Sequence, residues 1–165
     1  EIGDKSHYSA FVDCEGLDVS WSTMKALFAK NGDVLFNFQT QEICRLPTIV
    51  RNRSKGCEAM AERLNWFFGD DGWRNCTSPD QLLQLYIDKI RSETSREIVL
   101  PLPVKGERSY RYDIVLATRK TRGGSPWIQP MKELQEIMGG YRPEIIKRTL
   151  DILMKRQLSL NDSFS

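Results

Sequence analysis

The chain has 165 residues and a mass of 19.1 kDa, enough for one domain with a substantial hydrophobic core. Hydrophobic residues make up 40% and charged residues 28% of the sequence, a mixture that excludes a disordered or fibrous chain. Lys and Arg together number 24 and Asp and Glu number 22, so the net charge of +2 favours no class of partner.

The sequence also predicts where the protein resides. It contains no apolar run of about 18 residues, so we expect no membrane span. Its first residues form no apolar signal core, and the four cysteines form no Cys-x-x-Cys pair. We therefore predict a cytoplasmic protein with reduced thiols and no metal site. Because the sequence begins with Glu1 rather than Met, we expect a fragment or a processed chain.

The first third of the chain predicts two strands joined by a helix. An apolar run over residues 9–13 predicts a strand, and Ser20 can cap a helix that ends before Asn31-Gly32. Residues 33–38 predict a second buried strand. Strands connected through a helix are normally parallel, so we expect a parallel pair.

The middle of the chain is predicted to be mainly helical. A basic loop is expected over residues 45–55, because Pro47 disfavours regular structure there. Apolar spacing predicts a helix over residues 57–68 that ends at Gly69. Ser78-Pro79 is a typical helix start, with proline in the first helical position.

The last part predicts a β-hairpin followed by two helices. The predicted strands over residues 97–104 and 111–118 are joined by too few residues for a parallel crossover, so they should be antiparallel. Pro101 and Pro103 favour an edge position for the first of them. Helices are predicted over residues 128–138 and 143–156, separated by Gly139-Gly140.

Taken together, these elements predict an α/β protein with a partial Rossmann-like sheet of the methyltransferase type. Two parallel strands and an antiparallel hairpin would form the sheet, flanked by helices and followed by a C-terminal helical pair. Residues 1–125 would form the C-terminal half of a Rossmann-like domain, and residues 126–165 the C-terminal helices and tail.

Several short segments resemble the three-Cys-motif partner protein (TcmP) family, in the same order along the chain. The similarity covers roughly residues 10–135, and its segments are FVDCEGL (11–17), VSW (19–21), DVLFNF (33–38), Arg45, FG (68–69) with Trp73, and YDIVLATR (112–119) with Gly123 or Gly124. The resemblance implies the C-terminal part of a methyltransferase-like protein that transfers methyl groups from S-adenosylmethionine.

Candidate site residues follow from this resemblance and from the predicted strand ends. Asp13 comes at the carboxyl end of the first strand, where open α/β sheets bind ligands, and Asn37 should reach the same edge. We assign both to the acceptor side, as candidate catalytic residues, although each could instead satisfy a neighbouring loop. Arg45 is a candidate for binding an anionic substrate, or a solvated loop arginine. Trp73 is a candidate substrate contact, or a core residue.

The sequence departs from the family pattern in two ways. Cys14 stands where the family has a proline, so a turn set by proline cannot be assumed. No Gly-rich turn that would hold S-adenosylmethionine follows a strand and opens a helix. We therefore expect cofactor binding only when an N-terminal half is present, and an inactive chain when it is alone. The strand over residues 9–13 would be an exposed edge, open to that half or to a second copy of the chain.

A different class of function is also open. Five basic residues flank the predicted hairpin, namely Arg108, Arg111, Arg119, Lys120 and Arg122. A two-stranded ribbon with arginines can bind a phosphate backbone, so a non-catalytic nucleic-acid or protein-interaction module is the alternative. A Ser-His-Asp or Cys-His arrangement is not expected, because the single histidine, His7, lies near the N-terminus.

Overall fold

One mixed sheet organises the part of the chain that the computed structural model describes, residues 7–52, 56–105, 110–120, 126 and 128–140. Its strands are β1 (Tyr8–Val12), β2 (Gly32–Phe38), β3 (Ile98–Lys105) and β4 (Arg111–Thr118), in the order β1-β2-β4-β3. The strands β1 and β2 are parallel, and β4 is antiparallel to both β2 and β3. Three strands therefore run in one direction, and only β4 is reversed.

This sheet confirms the α/β prediction, the parallel pair and the antiparallel hairpin. The proline-containing strand β3 lies at one edge of the sheet. Pro101 and Pro103 lack a backbone N–H, which an edge strand tolerates because no further strand pairs with its outer side. At the other edge lies β1, whose Phe11 side chain is 61% exposed. The expected exposed apolar edge is therefore present among the described strands.

Helices α1 (Trp21–Ala29), α4 (Cys57–Phe68) and α5 (Pro79–Glu93) contribute the core that covers one sheet face. Both predicted caps form. The Ser20 hydroxyl accepts a hydrogen bond from the Thr23 N–H at 2.9 Å, and Ser78 forms a capping box with Gln81. Gly69 ends α4 with φ +80°, as a left-handed helix terminus requires.

The predicted basic loop over residues 45–55 is wrong. Helix α3 (Arg45–Arg51) occupies most of the described part of this region, and a short helix, α2 (Thr40–Ile43), precedes it. Pro47 is the third residue of α3, in the first turn, where a backbone N–H has no partner within the helix. Its ring is buried, so the proline stabilises the start of this helix instead of preventing it.

Helix α6 (Ile128–Gly140) packs along the edge strand β3. The Gln135 amide donates to the Pro101 carbonyl at 2.6 Å, and the Lys105 ammonium donates to the Gly139 carbonyl at 3.1 Å. The helix predicted to end at Met138 includes both glycines, Gly139 and Gly140, which are the last described residues. The helix predicted over residues 143–156, and with it the helical pair, lies outside the described residues. No described helix is both long and apolar enough to cross a membrane.

Tyr86 lies at the centre of the core, and removing its hydroxyl group is expected to raise the stability of the protein. Its ring packs against Phe36 and Phe67 with centroids 5.4 and 5.1 Å apart, while its buried hydroxyl has no hydrogen-bond partner. We expect Tyr86→Phe to stabilise the protein by about 1 kcal/mol, because it removes an unsatisfied buried group. Urea unfolding measures this change.

The matched control is Tyr8→Phe. The Tyr8 hydroxyl donates to the Leu27 carbonyl at 2.6 Å, so its loss should cost about 1 kcal/mol. If Tyr86→Phe were as destabilising as Tyr8→Phe, the Tyr86 hydroxyl would have to have a partner.

Candidate functional site

Two polar side chains meet where the parallel strands end. Asp13 directly follows β1, and Asn37 is the second-last residue of β2. The Asn37 amide Nδ2 donates a hydrogen bond to the Asp13 carboxylate Oδ1 at 2.8 Å. The expected proximity of these two residues is therefore confirmed, and we call the pair the strand-end site.

The strand-end site offers one accessible group to a ligand, the Asp13 carboxylate. Along β2, Phe36 and Phe38 are buried in the core, so the intervening Asn37 points to the opposite sheet face. Its Oδ1 atom is buried and has no hydrogen-bond partner, whereas the Asp13 carboxylate is exposed. Of the two groups, only the exposed Asp13 carboxylate is open to an amine or a hydroxyl group of a ligand, and the Asn37 Nδ2 holds that carboxylate in place.

The loop after Asp13 is held by side chains that the sequence analysis did not identify. The Gln39 amide donates to the Cys14 carbonyl at 3.1 Å, and the Cys14 thiol lies 4.0 Å from the Asn37 carbonyl oxygen. Burial raises the pKa of Cys14 to about 11, so its thiol stays protonated at neutral pH and is no nucleophile. Cys14 is therefore a packing residue, and side-chain contacts fix this loop without a proline.

A buried carboxylate lies at the same end of the sheet. Asp113, at the start of β4, is 1% exposed, and it accepts a hydrogen bond from the Thr40 hydroxyl. The Arg111 guanidinium donates to both Asp113 carboxylate oxygens, at 3.1 and 3.2 Å, and to Asp80 at 2.7 Å. Asp113 thereby connects β4 with α2 and, through Arg111, with α5. The alternation Arg111-x-Asp113 in a strand was the only sequence signal for this network.

Arg45 and Trp73, the predicted substrate contacts, lie in different surroundings. Arg45 is exposed at the start of α3, where it lines a cavity and has no partner among the described residues. Trp73 is fully buried, and its indole N–H donates to the Asn65 side-chain oxygen at 2.8 Å. Core packing accounts for Trp73, and none of the described contacts connects it with the strand-end site.

The described basic residues of the hairpin do not form one surface. Arg111 and Arg119 lie at opposite ends of β4. Arg111 is engaged by Asp80 and Asp113, and Arg119 donates to the Ala29 carbonyl at 3.0 Å. Lys120 is exposed, while Arg108 and Arg122 lie outside the described residues. Nucleic-acid binding by this hairpin stays a prediction that the arrangement does not favour.

The described residues contain no group of three or more His, Cys, Asp or Glu side chains placed to hold a metal ion. Comparison with family models, with curated proteins and with solved structures finds no match to this chain. The sequence resemblance and the geometry of the strand-end site are therefore the observations that bear on function.

Proposed function

We propose that this chain is the acceptor-side half of an S-adenosylmethionine-dependent methyltransferase-like protein. The sheet supports this proposal, because a parallel pair with an antiparallel hairpin at one edge is the arrangement expected for the second half of such a domain. The short segments that resemble the TcmP family occur in the same order along the chain. One of them, residues 11–17, contains Asp13, and another, residues 33–38, contains Asn37.

The observation that carries the proposal is the hydrogen bond between Asn37 and Asp13 at the carboxyl edge of the parallel strands. Open α/β sheets bind their ligands at this edge. Asn37 would orient the Asp13 carboxylate by donating its Nδ2–H to it. The exposed Asp13 carboxylate would accept the proton that an amine or hydroxyl loses on methylation.

The described residues do not form a cradle for the cofactor. Only one glycine, Gly16, lies in the connection between β1 and α1, and no Gly-rich turn opens a described helix directly after a strand. We therefore assign these residues to the acceptor side only, and the cofactor to a second part of the protein that adds to the β1 edge.

Calorimetric titration with S-adenosylmethionine tests the proposal. We expect no saturable binding by this chain alone, and binding by a version that includes the upstream half, because that half would supply the missing turn. Failure of the longer version to bind S-adenosylmethionine would contradict the proposal.

The roles of the two residues are tested in the longer version. Asp13→Asn is expected to leave S-adenosylmethionine binding intact and to lower transfer of labelled methyl groups to a fractionated cell extract about 100-fold, the usual effect of losing a general base. Asn37→Leu should lower methyl transfer in the same way, because it removes the donor that orients the Asp13 carboxylate. The control is Asp18→Asn, an exposed carboxylate in the same loop that pairs with Arg63. Equal transfer by the Asp13→Asn and Asp18→Asn variants would exclude Asp13 from the reaction.

A further inference from the structure

A cavity of about 340 Å³ lies between α3 and the start of α5, apart from the strand-end site. Arg45 and Arg51 contribute to its wall from α3, and Ser78 and Pro79 from the start of α5. The volume falls at the small end of the range for small-molecule sites, about 300–1,000 Å³. It therefore fits a single small organic molecule.

The charge of the lining is entirely positive. Its two arginines face no lining carboxylate. Arg51 is fixed in place, because its Nη2 donates to the backbone carbonyls of Arg74, at 3.1 Å, and of Cys76. Its other guanidinium nitrogens, and the whole guanidinium of Arg45, have no partner among the described residues. One arginine is thus pre-positioned and the other is free to close on a ligand.

The neutral part of the lining supplies hydroxyl groups and an apolar wall. Thr48 and Ser78 contribute the hydroxyls, and Pro79 and Leu82 the apolar surface, whereas the Thr77 hydroxyl already donates to the Gln81 side-chain oxygen at 3.0 Å. Burial raises the pKa of both lining thiols, Cys44 and Cys76, so neither adds negative charge at neutral pH.

The start of α5 adds only a general positive potential. The Gln81 side-chain oxygen accepts hydrogen bonds from the backbone N–H groups of Thr77, at 2.6 Å, and Ser78, at 3.3 Å. These donors are therefore already used. Recognition of an anion in the cavity falls to the two guanidinium groups, whose planar donor geometry suits a phosphate.

We propose that this cavity binds a small organic phosphate. The phosphate group lies between Arg45 and Arg51, within reach of the hydroxyl groups, and the carbon skeleton lies against Pro79 and Leu82. The site is independent of Asp13 and Asn37 and does not rest on the proposed methyl transfer.

Titration calorimetry at constant ionic strength tests this site, with ribose 5-phosphate as the probe and ribose as its uncharged control. We expect saturable binding of ribose 5-phosphate and none of ribose. Arg45→Gln should weaken the binding at least about tenfold, the effect of losing a charged hydrogen bond. This variant should fold normally, because Arg45 is exposed and has no described partner. Arg63→Gln removes an arginine that pairs with Asp18 away from the cavity and should leave binding within about twofold.

Three results would overturn the proposal: no saturable binding of ribose 5-phosphate, equal binding of ribose, or equal affinities of the Arg45→Gln and Arg63→Gln variants. Asp13→Asn should leave ribose 5-phosphate binding unchanged. If the longer version failed to bind S-adenosylmethionine, the binding of ribose 5-phosphate by this chain would still stand. Each proposal can therefore be contradicted without the other.

Discussion

Replacing Arg96 with methionine is expected to destabilise the protein by about 3–5 kcal/mol, because it removes charged hydrogen bonds from a fully buried position. Arg96 has no solvent exposure. Its Nε donates to the Phe28 carbonyl at 3.0 Å and its Nη2 to the Lys30 carbonyl at 2.7 Å, and its Nη1 donates to the Gly32 carbonyl. Methionine fills a similar volume but donates nothing.

The effect should be large because of where these carbonyls lie. They belong to the end of α1 and to the start of β2, where helix carbonyls have no intrahelical donors. A positive charge at this end also interacts favourably with the helix dipole. Burial lowers the pKa of Arg96, and the nearby charge of Arg119 lowers it further, but a guanidinium remains protonated in proteins.

Urea unfolding measures the loss, with Arg63→Met as the control. Arg63 and Asp18 are each 56% exposed, so removing their ion pair should cost no more than about 1 kcal/mol. Arg96→Lys should restore only part of the stability, because one ammonium group cannot reproduce the planar donor set. Equal losses in the Arg96→Met and Arg63→Met variants would show that the buried hydrogen bonds contribute nothing.

Local signals predicted the elements of this fold better than their arrangement. Alternating apolar residues and the caps Ser20 and Ser78 placed strands and helices near their observed bounds. The insertion of β4 between β2 and β3 could not be predicted, because it depends on pairing between residues far apart, such as Phe36 with Val115. Arg96 gave no signal either, since a single arginine in the sequence looks the same whether it is buried or solvated.

The candidate site could also be predicted only in part, from the ends of the predicted strands. Asp13 and Asn37 could be placed together because each belongs to the end of a predicted parallel strand. The hydrogen bond from Gln39 to the Cys14 carbonyl could not be predicted, because Gln39 lies in the turn that leads into α2, a helix not expected from the sequence. The cavity was missed for a related reason: Pro47 suggested a loop where α3 forms its wall.

Asp113→Ala is expected to destabilise the protein by about 2–3 kcal/mol, because it removes a buried carboxylate that accepts hydrogen bonds from a charged group. The substitution removes one acceptor of the Thr40 hydroxyl, which keeps only the Phe38 carbonyl at 3.2 Å. It also removes two hydrogen bonds of Arg111, whose side chain is only 27% exposed. Arg111 keeps its hydrogen bond to the exposed Asp80, so the loss of stability comes from the missing bonds to the buried carboxylate and not from a group left unpaired.

Asp80→Ala is the matched control, since Asp80 binds the same guanidinium from the surface. The Asp80 side chain is 74% exposed, so its ion pair with Arg111 should contribute no more than about 1 kcal/mol. Urea unfolding of the two variants compares a buried and an exposed partner of one arginine. Equal losses would contradict the central role of Asp113, whereas a loss several times larger for Asp113→Ala would show that this carboxylate anchors β4 to α2 and, through Arg111, to α5 beside the strand-end site.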